Sequence, residues 1–228
     1  MNRPNSAQST AALQSWQKEF IEFSINKGVL QFGDFTLKSG RQSPYFFNAG
    51  KFDDGQSQQI LGDIYAQTLI DSGIEFDTLF GPAYKGIPLA TSTVIALNSH
   101  HQRNIPFTFN RKEAKPHGEG GQLVGAPLRG RVILVDDVIT AGTAIRETLS
   151  ILEDHPEAQL IAAVVLIDRQ EKLPNSDLSA IQALEVDYGL TILPAIRLDQ
   201  IMTYISKDGR YSEFLPQMAD YRSNYGIA

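Results

Sequence analysis

The run Val132-Ile133-Leu134-Val135-Asp136-Asp137-Val138-Ile139-Thr140-Ala141-Gly142-Thr143-Ala144 sets the architecture of this chain. Four consecutive aliphatics make a strand buried on both faces, and such strands belong to parallel sheets covered by helices. Two carboxylates stand at its C-terminal end. Small residues then form a turn, and Ile145, Leu149 and Leu152 recur at helical spacing after it. The turn therefore opens a helix whose free amides favour a phosphate. Carboxylates repel a phosphate at contact, a conflict that disappears if the acids accept hydrogen bonds from sugar hydroxyls and the turn holds a phosphate further along. That ligand is a ribose 5-phosphate. An ordinary strand, turn and helix with Asp residues capping the helix fits the same spacing, which does not choose between the two.

Downstream, Leu160 to Ile167 reads as a strand delivering Asp168-Arg169 at its end, Ala180 to Tyr188 as a helix stopped by Gly189, and Thr191-Ile192-Leu193 as a last strand. Upstream, Phe107-Thr108-Phe109-Asn110 is a strand. The segment 111–125 after it is rich in glycine and cations and has almost no apolar anchor, so it is expected to be a mobile loop. Thr78-Leu79-Phe80 is a strand followed by the loop Gly81-Pro82-Ala83-Tyr84-Lys85-Gly86, and a helix from Ile87 carries Pro88 in its tolerated first turn. Ile60 to Leu69 marks an amphipathic helix ending at Gly73.

The period becomes two between Val29 and Asn48, a small antiparallel flap with Lys38 at its bend. Leu13, Trp16, Phe20 and Phe23 share one helical face, expected to need cover from the core or from a partner subunit. Alternating strands and helices give an α/β fold with a mostly parallel sheet flanked by helices, and ligands bind such sheets beyond the C-terminal strand ends. One domain is expected over residues 1–228, with 1–12 disordered and 13–50 forming a helix and antiparallel hood.

Composition narrows the function. With 228 residues and 42% hydrophobic content the chain can bury one good core. It has no Cys, which excludes disulfides and thiolate zinc sites. The formal net charge of −6 argues against a nucleic-acid partner held on a broad basic face. An anionic substrate must instead meet a local cation cluster, and Arg111, Lys112 and Lys115 form one. Neither a signal peptide nor an apolar run long enough to span a bilayer is seen, so a cytoplasmic protein is expected. His100, His101 and His155 read as surface residues, and the four histidines show no metal-ligand spacing.

The run from Val132 resembles the phosphoribosyl-pyrophosphate signature of the type I phosphoribosyltransferases. From about Gln17 onward the chain is similar to the bacterial orotate-using members of that family. The resemblance implies their fold, with a small N-terminal hood, and a magnesium-dependent transfer of a phosphoribosyl group to orotate. By it, Asp136 and Asp137 hold the ribose hydroxyls and Val138, Ile139, Thr140, Ala141, Gly142, Thr143 and Ala144 wrap the 5-phosphate. Arg111, Lys112, Lys115 and His117, in the pattern Arg-Lys-x-x-Lys-x-His-Gly, contact pyrophosphate together with Tyr84, Lys85 and Lys38, and catalysis falls to Lys115, Asp136 and Asp137. Orotate is met by Phe46 or Phe47 as an aromatic face, by Arg169 as a fork for its carboxylate, and by Thr140. Magnesium bridges substrate oxygens with no protein ligand set of its own. The family implies a homodimer, with Lys115 donated across the interface. Pro116 inside the loop and His155-Pro156 before a strand depart from the family pattern. A purine transferase would need different residues at Lys38, Phe46 and Arg169. A non-catalytic nucleotide sensor on the same fold would not need the retained loop cations.

Overall fold

The computed structural model describes residues 13–37, 39–115, 121–139 and 142–227. Expectations for residues 1–12, Lys38, Pro116, His117, Thr140 and Ala141 lie outside the described residues, and Lys115 is described through its backbone. Strands β1 (Leu30–Thr36) and β2 (Gln42–Phe47) form the antiparallel hood. Six further strands make the main sheet: β3 (Thr78–Gly81), β4 (Phe107–Lys115), β5 (Gly121–Gly125), β6 (Gly130–Val135), β7 (Ala158–Asp168) and β8 (Thr191–Arg197). Their order is β5-β4-β3-β6-β7-β8, parallel throughout except for β5, which returns antiparallel to β4.

Strand β6 is central because all four of its aliphatics can be buried. Val132, Ile133, Leu134 and Val135 are each wholly out of solvent. Alternation sends Val132 and Leu134 to a layer with Phe80, Ile145, Ala163 and Leu184, and Ile133 and Val135 to a layer with Tyr65, Leu69, Leu79 and Ile196. The second layer also takes in Phe20, Leu30, Tyr45 and Tyr221, so the hood shares the core of the sheet. Strand β8 runs four residues past the expected Leu193 and contains Pro194, which is tolerated because β8 is an edge strand.

Helices α1 (Ser15–Asn26), α2 (Gly55–Ser72), α3 (Gly86–His101), α4 (Thr143–Leu152), α5 (Ala180–Tyr188), α6 (Leu198–Asp208) and α7 (Leu215–Tyr225) cover the sheet. The apolar face of α1 finds cover within the chain. Phe20 is wholly buried, Phe20 and Phe23 both stack on Phe52 at 6.0 and 5.9 Å, and the Trp16 indole N–H donates to Asp71 at 3.1 Å. Segment 111–125 is also more regular than its composition suggests, since its flanks are β4 and β5, paired through Phe109↔Val124, Asn110↔Leu123 and Lys115↔Gly121. Backbone pairing supplies the order that side chains there cannot. His100 is exposed, 3.3 Å from Asp63, whereas His101 and His155 are half-buried.

Candidate active site

Where β6 ends, its ladder with β7 continues: the Asp136 amide donates to the Val164 carbonyl at 3.1 Å, and the Leu166 amide to the Asp137 carbonyl at 2.9 Å. The two carboxylates are fixed locally. Asp136 Oδ1 accepts from the Asp137 amide and Asp137 Oδ1 from the Val138 amide, both at 2.9 Å. Lys85 Nζ lies 2.5 Å from Asp137 Oδ2. Burial, and then the charge of Asp137, push the Asp136 carboxyl up to about 6. Neither acid caps α4. The cap position belongs to Gly142, at φ +68°, which has no side chain to cap with, and this removes the helix-cap alternative for the two acids. Any Cβ at Gly142 would meet Leu184 Cδ2 at 2.6 Å.

Across from these acids, the loop after β3 comes close to β6. A Cβ on Gly86 would collide with the Pro82 ring and lie 2.8 Å from the Val135 carbonyl oxygen, so only glycine lets the two backbones approach this closely. Asn110, at the end of the expected strand, accepts the Ala83 amide at 2.8 Å and fixes the loop. The Ala83–Tyr84 peptide bond is cis. Between loop and turn lies a cavity of about 300 Å³ whose lining includes Tyr84, Lys85, Lys112, Asp136, Val138, Ile139, Gly142, Thr143 and Ala144. Lys112 reaches it paired with Glu147 at 3.2 Å, and Tyr84 at its lip is 72% exposed. Arg111, on the same strand as Lys112, is half-buried.

Arg169 leaves the end of β7 toward the hood and meets it through Tyr45. Its guanidinium carbon lies 5.3 Å from the Tyr45 ring centroid, its Nε donates to the Tyr45 hydroxyl at 3.2 Å, and Nη2 is 2.6 Å from Glu171 Oε1. Phe46 and Phe47 point to opposite faces of the hood. Phe46 stacks on Phe35 at 5.5 Å, and Phe47 packs edge-on to Phe52 at 6.4 Å against the core. Tyr45, Tyr65, Asn110, Glu147 and Glu171 were not singled out from sequence. Asn110 had a signal, a polar residue ending an apolar strand. Tyr65 looked like one more apolar helix position.

No cluster of three or more His, Asp or Glu able to hold a metal occurs among the described residues. Asp137 is already taken up by Lys85 and the Val138 amide, which suits a cation carried mainly by substrate oxygens and water.

A family model described as a phosphoribosyl transferase domain matches residues 50–192. The chain is 55% identical over 215 residues to the orotate phosphoribosyltransferase of Klebsiella pneumoniae, covering 94% of this chain and all of that protein. The Pseudomonas aeruginosa protein of that name is 54% identical over the same length and coverage. The crystal structure of Francisella tularensis orotate phosphoribosyltransferase superposes with a TM-score of 0.83 at 42% identity, covering 91% of this chain and 99% of that one.

Proposed function

Since this chain belongs to the phosphoribosyltransferase family, and within it to the orotate phosphoribosyltransferases, we propose the following division of labour among its residues. The enzyme transfers the phosphoribosyl group of 5-phosphoribosyl 1-diphosphate to orotate, giving orotidine 5'-phosphate and diphosphate in pyrimidine synthesis. The bond from the anomeric carbon to diphosphate breaks as the ring becomes oxocarbenium-like, so catalysis means stabilising a departing anion while a cationic sugar is held in place. Asp136 and Asp137 accept hydrogen bonds from the ribose hydroxyls. Val138 to Ala144 and the first amides of α4 hold the 5-phosphate. Tyr84, Lys85, Arg111 and Lys112, with Lys38, Lys115 and His117, receive the diphosphate. Phe46 or Phe47 offers the base an aromatic face, Thr140 touches it, and Arg169 grips its carboxylate.

The observation that carries this reading is that Lys85, Lys112, Asp136 and the turn that opens α4 border one shared cavity. Magnesium bound to the diphosphate would offset its charge. The hairpin of β4 and β5 closes over the loaded site and excludes water, which otherwise competes with the base for the activated sugar. Lys115 lies three residues beyond Lys112, roughly 10 Å along an extended strand, and we assign it to the neighbouring subunit's site in a homodimer. The chain acts as one unit in the cytoplasm. No helix among the described residues is long and apolar enough to cross a membrane. The test is orotate consumption with 5-phosphoribosyl 1-diphosphate and magnesium in the presence of hypoxanthine and uracil. Consumption of orotate alone is expected, and transfer to hypoxanthine would overturn the base assignment.

A further inference from the structure

Glu171 sits between two guanidinium groups. Its Oε1 lies 2.6 Å from Arg169 Nη2 and its Oε2 3.5 Å from Arg41 Nη1. The side chains are 15% exposed for Glu171, 34% for Arg169 and 20% for Arg41, so screening by water is weak. Two positive charges against one negative leave the cluster one anion short. Arg169 Nη2 is shielded from solvent and has no aligned acceptor, because Glu171 neutralises it without hydrogen-bond geometry. A half-buried cluster with one positive charge in excess suits a planar carboxylate.

The Nε end of the same edge is also fixed. The Tyr45 hydroxyl accepts from Arg169 Nε at 3.2 Å and donates to Glu171 Oε1 at 3.1 Å, closing a ring of three side chains. Glu171 is itself held from behind by the C-terminal tail. It bridges to Gly226, Lys172 donates its amide to the Tyr225 carbonyl at 2.8 Å, and the Ile227 amide donates to the Gln170 carbonyl at 2.9 Å. Arg41 adds a bond from Nη2 to the Lys172 carbonyl at 3.2 Å and lies over the Tyr225 ring at 4.7 Å.

Resting on the reading of Arg169 as the fork for the base, we propose that Glu171 is a positioning residue for orotate. With Tyr45 it occupies the Nε side of the guanidinium, and so sets the plane in which the remaining donors meet the base's carboxylate. Arg41 keeps the cluster short of one anion, which favours a carboxylated base over a neutral pyrimidine.

Glu171→Gln tests this, since it keeps size and an acceptor oxygen and removes the charge. A charge-assisted bond is roughly twice as strong as a neutral one, so KM for orotate should rise about tenfold while KM for 5-phosphoribosyl 1-diphosphate stays unchanged. A merely structural role would lower the thermal midpoint and disturb both substrates together. Tyr45→Phe opens the same ring without touching charge and should give the same orotate-selective rise, which keeps the idea testable if the Gln variant folds poorly. An unchanged orotate KM, equal rises for both substrates, or tighter orotate binding would each overturn the proposal, the last by making Glu171 a competitor for the fork. Arg169→Ala run alongside separates the levels. If it too fails to discriminate between the substrates, the base-site reading falls. If it discriminates and Glu171→Gln does not, only the positioning role falls.

Discussion

The Tyr65 hydroxyl donates to the main-chain oxygen of Asp136 at 2.6 Å, tying α2 to the point where β6 gives way to the turn before α4. Tyr65 is wholly buried, and burial holds its phenol well above the ordinary range, so it remains a donor at any working pH. Tyr65→Phe strands a shielded carbonyl, at a cost of about 1 to 3 kcal/mol. We expect a lower thermal midpoint and a fall in kcat/KM for 5-phosphoribosyl 1-diphosphate, with KM for orotate little changed. Melting curves beside two-substrate kinetics check this, and a variant as stable and active as the wild type would refute it.

Asp136 links stability and activity in opposite senses. Its carboxyl stands near 6 in the folded chain against 3.8 for an ordinary aspartate, through burial first and Asp137 second. Between these values the folded chain keeps a proton that the unfolded chain has lost. The stabilisation is therefore full below about pH 4, declines as pH rises, and is gone above about pH 6, a difference of about 3 kcal/mol. Asp136→Asn stays neutral at every pH and keeps an acceptor for the Asp137 amide. It should melt higher than the wild type at pH 8 and hardly differ at pH 4, yet transfer phosphoribosyl far more slowly. The assignment of Asp136 to the ribose hydroxyls predicts that, in the wild type, kcat/KM for 5-phosphoribosyl 1-diphosphate climbs through pH 6, since an ionised acid is the better acceptor for them. A flat profile there, or an Asn variant less stable at pH 8, would count against this account of Asp136.

The assignment of Arg169 as the fork for the base predicts that Arg169→Ala weakens orotate binding by about 2 to 5 kcal/mol, because the base alone carries a carboxylate. Binding of 5-phosphoribosyl 1-diphosphate should barely move. Titration calorimetry of each substrate decides the matter, and equal losses would remove Arg169 from the base site.

The local pattern from Val132 to Ala144 carried most of the fold, because four aliphatics in a row can be buried only between two helical layers, and β6 is buried in that way. The place of the two acids at the end of β6 was legible as well, but the alternative of helix caps fell only once Gly142 was seen to hold that position. Long-range partners were not legible. Glu171 and Tyr45 are 126 residues apart in sequence, Tyr65 and Asp136 are 71 apart, and no periodicity encodes such meetings. The cover of α1, expected from the core or from a partner subunit, was left open for a related reason. Helical spacing identifies an apolar stripe but not what covers it, and Phe52 arrives from beyond the hood. The family match at residues 50–192 leaves out Arg41, Tyr45 and the C-terminal tail, so the setting of Arg169 comes largely from segments outside the shared domain.

The assignment of Lys115 to a neighbouring subunit predicts complementation between two dead variants. Lys115→Ala lacks the lysine, and the double variant Asp136→Asn with Asp137→Asn lacks the ribose acids. Each homodimer has a defect in both of its sites. When the two proteins are unfolded together and refolded as a mixture, a mixed dimer with shared sites has one site that combines intact acids from one chain with an intact lysine from the other. Its second site carries both defects. Random pairing under two-fold symmetry makes about half of the dimers mixed, each with one good site of two, so roughly a quarter of wild-type activity should return. If Lys115 serves its own chain, every site in the mixture keeps a defect whatever the pairing. Differently tagged chains establish that subunits have exchanged. A mixture that has exchanged and yet stays inactive would return Lys115 to its own cavity, as a loop cation acting in cis beside Lys112.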